Sequence, residues 1–265
     1  MNDKVLVHPV EKVATLIYDN KVEGSMFVAQ NIASVIQRNN EENKHTVLGL
    51  ATGNSPLLVY KELIRYHREE GLSFKNVVTF NLDEYYPMGK KDDHSYNHFI
   101  FENFLSQIDV RPENVHIPDG ELPLNEVDRY CKDYDDKIES LGGLDVQILG
   151  IGRSGHIGFN EPGSKITDGT RLLELDSVTI SDASEGFGGI SNVPTKAITM
   201  GVKTILQAKK IFLVAWGTEK AEVIQKAIEG SISSEVSASF LQNHDDTLFV
   251  LDPAAASRLA RFAKP

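Results

Sequence analysis

Short apolar runs alternate along most of this chain with stretches in which apolar residues recur at helical spacing. Thr46–Leu50 (TVLGL) is continuously apolar and short, which predicts a buried strand, and Pro56–Glu70 then carries a helical pattern. Val77–Leu82 (VVTFNL) predicts a second strand, Tyr96–Leu105 a helix, and Asp128–Leu141 an acidic amphipathic helix. Leu144–Ile151 (LDVQILGI), Ile211–Trp216 (IFLVAW) and Thr247–Leu251 (TLFVL) predict three further strands, with a helix at Lys220–Glu229 after the second of these. Strands that alternate with helices, and that are apolar throughout rather than at every second position, predict an α/β fold. The expectation is a doubly wound, mostly parallel sheet with helices on both faces, a Rossmann-like arrangement. Two Gly/Ser-rich stretches, Ser181–Asn192 and Gly230–Ser239, interrupt the pattern. The alternation resumes after each, so they read as mobile loops inside one domain spanning residues 1–265.

Composition adds constraints on partners. Of the 265 residues, 41% are hydrophobic and 25% charged, as in an ordinary globular protein with a core. The net charge of −11 repels nucleic acid and anionic membranes, so neither is expected as a partner. It also requires that any phosphate site be built locally, from backbone N–H groups and a few Lys or Arg side chains. The single cysteine, Cys131, excludes an intrachain disulfide, suits a reducing cytoplasm, and reads as a packing thiol. The start Met1-Asn2-Asp3-Lys4-Val5 lacks the pattern of a signal peptide, and no stretch approaches the roughly 20 apolar residues of a membrane span. A cytoplasmic location is the expectation.

In a doubly wound sheet ligands bind beyond the carboxyl ends of the strands, so residues just after each strand carry the information about function. Ala51-Thr52-Gly53-Asn54-Ser55-Pro56 joins a strand to a helix. Its free N–H groups, the helix dipole and the Thr52 and Ser55 hydroxyls suit a phosphate cradle; the same residues also suit a plain strand–helix turn with a serine cap. It is neither a G-x-G-x-x-G fingerprint nor a Walker loop. Asp83 and Glu84 follow the next strand directly. Adjacent residues of an extended chain point to opposite sides, so one of the two is expected to face a site, where poor solvation would raise its pKa and fit it for proton transfer. A capping acid beside a surface acid is the plainer alternative. His94 and His98 stand four apart, a spacing that metal ligands also use, but no third ligand is near, which favours capping and packing. The densest group lies in Leu149–Pro162, where four glycines and five polar side chains fall within fourteen residues. There His156 can pass a proton in either direction and Glu161 can orient it or share the proton, against the commoner structural role of an isolated histidine. Lys220 sits where a helix dipole disfavours a cation, which points to an anionic ligand or to a solvated lysine.

Taken together, Leu48–Pro56, Phe80–Tyr85 with His94–Phe99, Leu149–Pro162, Val193–Gly201 and Trp216–Ala221 resemble the glucosamine-6-phosphate deaminases (glucosamine-6-phosphate isomerases). Gly155-His156-Ile157-Gly158-Phe159-Asn160-Glu161-Pro162 is the most specific of these elements; related 6-phosphogluconolactonases share the fold and a Gly-His but usually lack the Phe-Asn-Glu-Pro continuation. The resemblance implies conversion of glucosamine 6-phosphate and water to fructose 6-phosphate and ammonia, with no metal and no cofactor. It assigns Asp83 as the base between C2 and C1, His156 with Glu161 to ring opening, and Thr52, Gly53, Asn54, Ser55 and Lys220 to the phosphate. It also implies a homo-oligomer. Action on another hexosamine phosphate, a lactonase-like hydrolysis, and a sugar-phosphate-binding protein without catalysis are the other readings.

Three positions depart from the family pattern. Ser154 stands where an aspartate usually supports the histidine. Ser181–Asn192 contains no arginine where one usually binds phosphate, so Arg153 or a side chain of another subunit would supply that charge. Ser164 and Arg171 match a segment linked in the family to activation by N-acetylglucosamine 6-phosphate, but Leu173 stands where a lysine is expected, so such activation is not expected here.

Overall fold

A computed structural model describes residues 8–262; the polar N-terminal start lies outside them. The elements in chain order are β1 (Ala14–Ile17), α1 (Lys21–Glu41), β2 (Thr46–Leu50), α2 (Leu57–Glu70), β3 (Val77–Asn81), β4 (Asp83–Tyr86), α3 (Tyr96–Asn103), β5 (Val115–His116), α4 (Leu124–Ser140), β6 (Val146–Leu149), β7 (Arg171–Glu174), α5 (Ser177–Ala183), β8 (Lys196–Thr199), α6 (Val202–Leu206), β9 (Ile211–Ala215), α7 (Ala221–Glu229) and β10 (Thr247–Leu251). Seven strands form a sheet in the order β1-β10-β9-β6-β2-β3-β5, every neighbouring pair parallel. The strands are apolar throughout because both faces are covered. In β9, Ile211 and Leu213 pack towards α7, while Phe212 and Val214 pack towards α1 and α2. This is the doubly wound α/β architecture that the alternation of runs predicts.

Besides the short elements β5, α5 and α6, the alternation leaves out two larger parts. The first is β1 with α1, the longest helix. Its core contacts, Val28, Ala29, Ile32, Ala33 and Ile36, are interspersed with polar residues. Its start is fixed locally by Asn20, whose side chain accepts from the N–H groups of Val22 and Glu23. The second is a three-stranded antiparallel sheet, β4-β8-β7. Its strands are four residues long, too short for a periodic signal; β4 and β8 are buried at three of their four positions and β7 is partly exposed. The Ser181–Asn192 stretch is also more structured than a free loop: it holds the end of α5 and a short 3-10 turn at Ile190–Asn192.

Leu82 joins the two sheets. Its N–H donates to Leu50 in the large sheet, and its carbonyl accepts from Met200 at the end of β8. The chain therefore passes from one sheet to the other between Asn81 and Asp83, and the adjacent acids part company. Glu84, 2% exposed, turns away to cap α3, accepting from the N–H groups of Tyr85, Tyr96 and Asn97, each at 2.9 Å. Elsewhere in the sheet, Gln147 of β6 lies fully buried across Gly49 of β2, and a Cβ on Gly49 would overlap the Gln147 amide.

Two stability measurements follow from this packing. Gly49→Ala should cost about 1–3 kcal/mol by overpacking, read as a lower urea midpoint at constant m-value, and Gln147→Ala in the same chain should recover part of the loss. Burial raises the Glu84 pKa to about 7 from 4.5, against the lowering effect of its three N–H donors. Between these values the folded protein keeps a proton that the unfolded chain has lost. The contribution of Glu84 to stability is therefore greatest below pH 4.5 and declines through about pH 7, at up to about 1.4 kcal/mol per pH unit. Glu84→Gln does not titrate, so wild-type minus variant stability should fall across that window; a flat difference would contradict the buried acid.

Candidate active site

The winding of the large sheet reverses between β2 and β6. From β2 the chain crosses over α2 to β3 on one side, and beyond β6 lie β9, β10 and β1 on the other. The loops after β2 and β6 diverge at this point, leaving a crevice at the carboxyl ends of the strands. A cavity of about 1230 Å³ opens there, bordered by the loop after β2, by Asp83, by His156 and by Lys220.

On one side is the loop 51–56. Gly53 adopts φ +87°, a left-handed turn that glycine favours. The Ala51 peptide is held at both ends by Tyr60, whose hydroxyl donates to the Ala51 carbonyl at 2.6 Å and accepts from its N–H at 3.1 Å. Among the described residues, the N–H groups of Thr52, Gly53, Asn54 and Ser55 have no protein acceptor, and all four residues line the cavity. Lys220 occupies the position just before α7, at the end of a 3-10 turn, and its ammonium donates to the Ile151 carbonyl at 2.9 Å. Burial lowers its pKa, with the charges of Glu219 and Asp182 acting in the opposite sense. It is a partly desolvated cation facing a set of open backbone donors, an arrangement that holds an anion.

On the other side stands Asp83, 5% exposed and, among the described residues, without a hydrogen-bond donor. Burial, and then the charge of Glu84, hold its carboxyl well above the usual range. His156 lies between the two halves with its ring against Gly152. Its Nδ1 meets Ser154 Oγ at 2.9 Å, Glu161 Oε2 at 3.1 Å and Thr179 Oγ1 at 3.5 Å. Burial alone would raise the Glu161 pKa, but the hydrogen bond and charge of His156 outweigh it, helped by Thr179 and the Asp176 N–H, and leave it below the usual value. An ionised Glu161 at Nδ1 fixes the tautomer in which Nδ1 carries the proton and Nε2 is left to accept one.

The structure thus brings together the eight residues that the resemblance assigns to the site, Thr52, Gly53, Asn54, Ser55, Asp83, His156, Glu161 and Lys220. Glu161 lies behind His156; the other seven line one cavity. Arg153 does not supply the missing loop charge: its guanidinium grips Asp182 with contacts of 2.6 and 2.9 Å. His94 packs against Phe187 with ring centroids 4.6 Å apart, and among the described residues no cluster of three or more His, Cys, Asp or Glu is placed to hold a metal. Cys131 is buried on α4, its thiol pushed up to about 12 by burial.

The sequence assigns no role to the other contributors; Tyr96 and Asn160 lie within the matching segments, whereas Thr179 and Ser237 carry no motif signal. Thr179 comes from α5, and Tyr96, which lines the cavity, stacks on Phe159 at 5.6 Å. Ser237 accepts from the Ile157 N–H and donates to the Asn160 carbonyl, fixing the histidine loop from eighty residues away. Asn160 ties the same loop to the small sheet, its amide donating to Met200 and its carbonyl oxygen accepting from Arg171.

Comparison with known proteins agrees with this geometry. Residues 19–250 match the family model described as glucosamine-6-phosphate isomerases/6-phosphogluconolactonase. A glucosamine-6-phosphate deaminase of Clostridium acetobutylicum is 48% identical over 89% of this chain and 96% of its own length. A glucosamine-6-phosphate deaminase-like protein of Bacteroides thetaiotaomicron is 43% identical over 99% of this chain, which spans only 40% of that longer relative. Among solved structures, a monomeric glucosamine-6-phosphate deaminase superposes with a TM-score of 0.87 at 40% identity, covering 92% of this chain and 99% of its own. The 6-phosphogluconolactonase of Thermotoga maritima shares the fold, with a TM-score of 0.68 at 23% identity over 90% of this chain and 99% of its own. The chain belongs to the glucosamine-6-phosphate isomerase/6-phosphogluconolactonase family.

Proposed function

We propose that this protein is a glucosamine-6-phosphate deaminase, releasing ammonia and fructose 6-phosphate by acid–base catalysis. The observation that carries the reading is the pairing, across one cavity, of an open anion cradle with a desolvated carboxylate and an ion-paired histidine. The N–H groups of Thr52 to Ser55 and the Lys220 ammonium hold the phosphate and thereby fix the sugar. Nε2 of His156 exchanges the proton that opens the pyranose ring, while Glu161 at Nδ1 stabilises the imidazolium formed. Asp83 then carries the proton from C2 to C1 through an enediol-type intermediate that bears the amino group on C2 (an enolamine), and its raised pKa brings it closer to the strength that neutral-pH proton transfer requires. The resulting C2 iminium adds one water and breaks its C–N bond to expel ammonia, leaving the ketone of fructose 6-phosphate. None of these steps calls for a metal ion.

Ser154 can accept a hydrogen bond from Nδ1 but cannot hold a negative charge, so in this reading Glu161 alone neutralises the imidazolium. Every residue named comes from one chain, and the reading has no need of the homo-oligomer that the resemblance implies. We also read residues 1–265 as one domain, because Leu82 and Asn160 bond the two sheets directly across the site.

An ammonia-release assay across glucosamine, galactosamine and mannosamine 6-phosphates should show glucosamine 6-phosphate as the preferred substrate. Lactone hydrolysis with no ammonia from any of them would overturn the assignment. Asp83→Asn should lower kcat by about 10²–10⁴ at unchanged fold, and the acid limb of kcat/KM should lie well above the ~4 of a free carboxylate. Prolonged dialysis against a chelator should leave turnover unchanged.

A further inference from the structure

Trp216 has no part in that chemistry, yet it sits in the wall of the same cavity. It is the only tryptophan of the chain and follows directly on β9. Its indole N–H donates to the Ser55 carbonyl at 2.9 Å. The far edge of its ring is wedged against α1, where a Cβ on Gly24 would come within 2.8 Å of Cη2 and 3.1 Å of Val250 Cγ1. The backbone after it is fixed as well, the Gly217 N–H donating to the Asp252 carboxylate at 3.1 Å, and Lys220 follows three residues later.

The loop after β2 is therefore pinned at both ends by side chains from elsewhere, Ala51 by the Tyr60 hydroxyl and Ser55 by the indole. Thr52, Gly53 and Asn54 lie between the pins. A peptide unit is planar, so fixing the Ser55 carbonyl fixes the plane through which the loop enters α2. The second pin also comes from the segment that bears Lys220. We propose that Trp216 is a positioning residue for the anion cradle: through Ser55 it holds the loop after β2 in register with Lys220. The inference rests on the phosphate-cradle reading above. Because the indole acts on the anchor and not on the reacting carbons, its loss should weaken ground-state and transition-state binding alike, which raises KM and spares kcat.

Trp216→Phe keeps a ring beside Gly24 and deletes the donor. Calorimetric titration with inorganic phosphate should show roughly tenfold weaker binding, the scale of one net hydrogen bond. KM for glucosamine 6-phosphate should rise by a similar factor with kcat within about twofold of wild type. Gly24→Ala keeps the donor but drives a methyl group into the ring, and should shift both constants in the same direction; it carries the test if Trp216→Phe does not fold. A folded Trp216→Phe protein with wild-type phosphate affinity would overturn the proposal, as would a fall in kcat at constant KM. A wild-type protein that binds no phosphate overturns both the cradle and the role of Trp216. One that binds phosphate but releases no ammonia defeats the assigned reaction only, and the phosphate titrations still decide the role of Trp216.

Discussion

A parallel sheet buried on both faces has to return every crossover over one face or the other, and where the winding changes direction two neighbouring strands send their chains apart. In this protein that happens between β2 and β6, and the rest of the molecule is arranged around the resulting gap. The sheet core supplies rigidity there. Leu48, Leu50, Val146 and Ile148 are wholly buried beneath α1, α2 and α3, and Gln147 locks across Gly49 on the opposite face. Burying such strands is the dominant favourable term in folding, and the same burial forces their polar successors into a common crevice.

The second sheet turns this crevice into a site with two distinct halves. By leaving the large sheet at Leu82, the chain delivers Asp83 to the cavity and Glu84 to the start of α3. One sequence pair thus yields an unpaired, poorly solvated carboxylate and a capped one, and burial raises the pKa of both. β8 lies alongside, and Asn160 binds the histidine loop to its end. The acid, the histidine and the cradle are held by separate elements, each fixed by hydrogen bonds to a third, so their mutual placement does not depend on any single loop.

The electrostatics of the site fit a strongly acidic protein. With a net charge of −11, an anion in the cavity is met by locally open N–H groups and by two lysines that line it, the half-buried Lys220 and the exposed Lys21. Arg153 is paired with Asp182. The histidine is surrounded by one carboxylate and two hydroxyls rather than by two carboxylates, which concentrates the ionic support of His156 in Glu161.

The five predicted strands all occur, because continuous apolar runs bounded by polar residues leave no other way to be buried. Their loops were legible for the same reason: a glycine-rich, polar strand end is conspicuous beside such runs, and it pointed to Thr52–Ser55, Asp83, His156, Glu161 and Lys220. The helix α1 is legible from Val28, Ala29, Ile32, Ala33 and Ile36, which recur at helical spacing, although it falls outside the predicted elements. The small sheet, by contrast, was hidden because four-residue strands are too short to show a period. What the sequence by itself determined was the kind of fold and the chemical types available at each strand end, since both follow from local pattern. Which residue meets which was decided only by tertiary structure. Whether Glu84 caps or catalyses, whether Arg153 is free or engaged, and what holds Ser55 in place depend on partners that lie between 12 and 161 residues away. Contacts at such separations leave no periodic trace in one chain, because they are set by the packing of whole elements and not by the residues between.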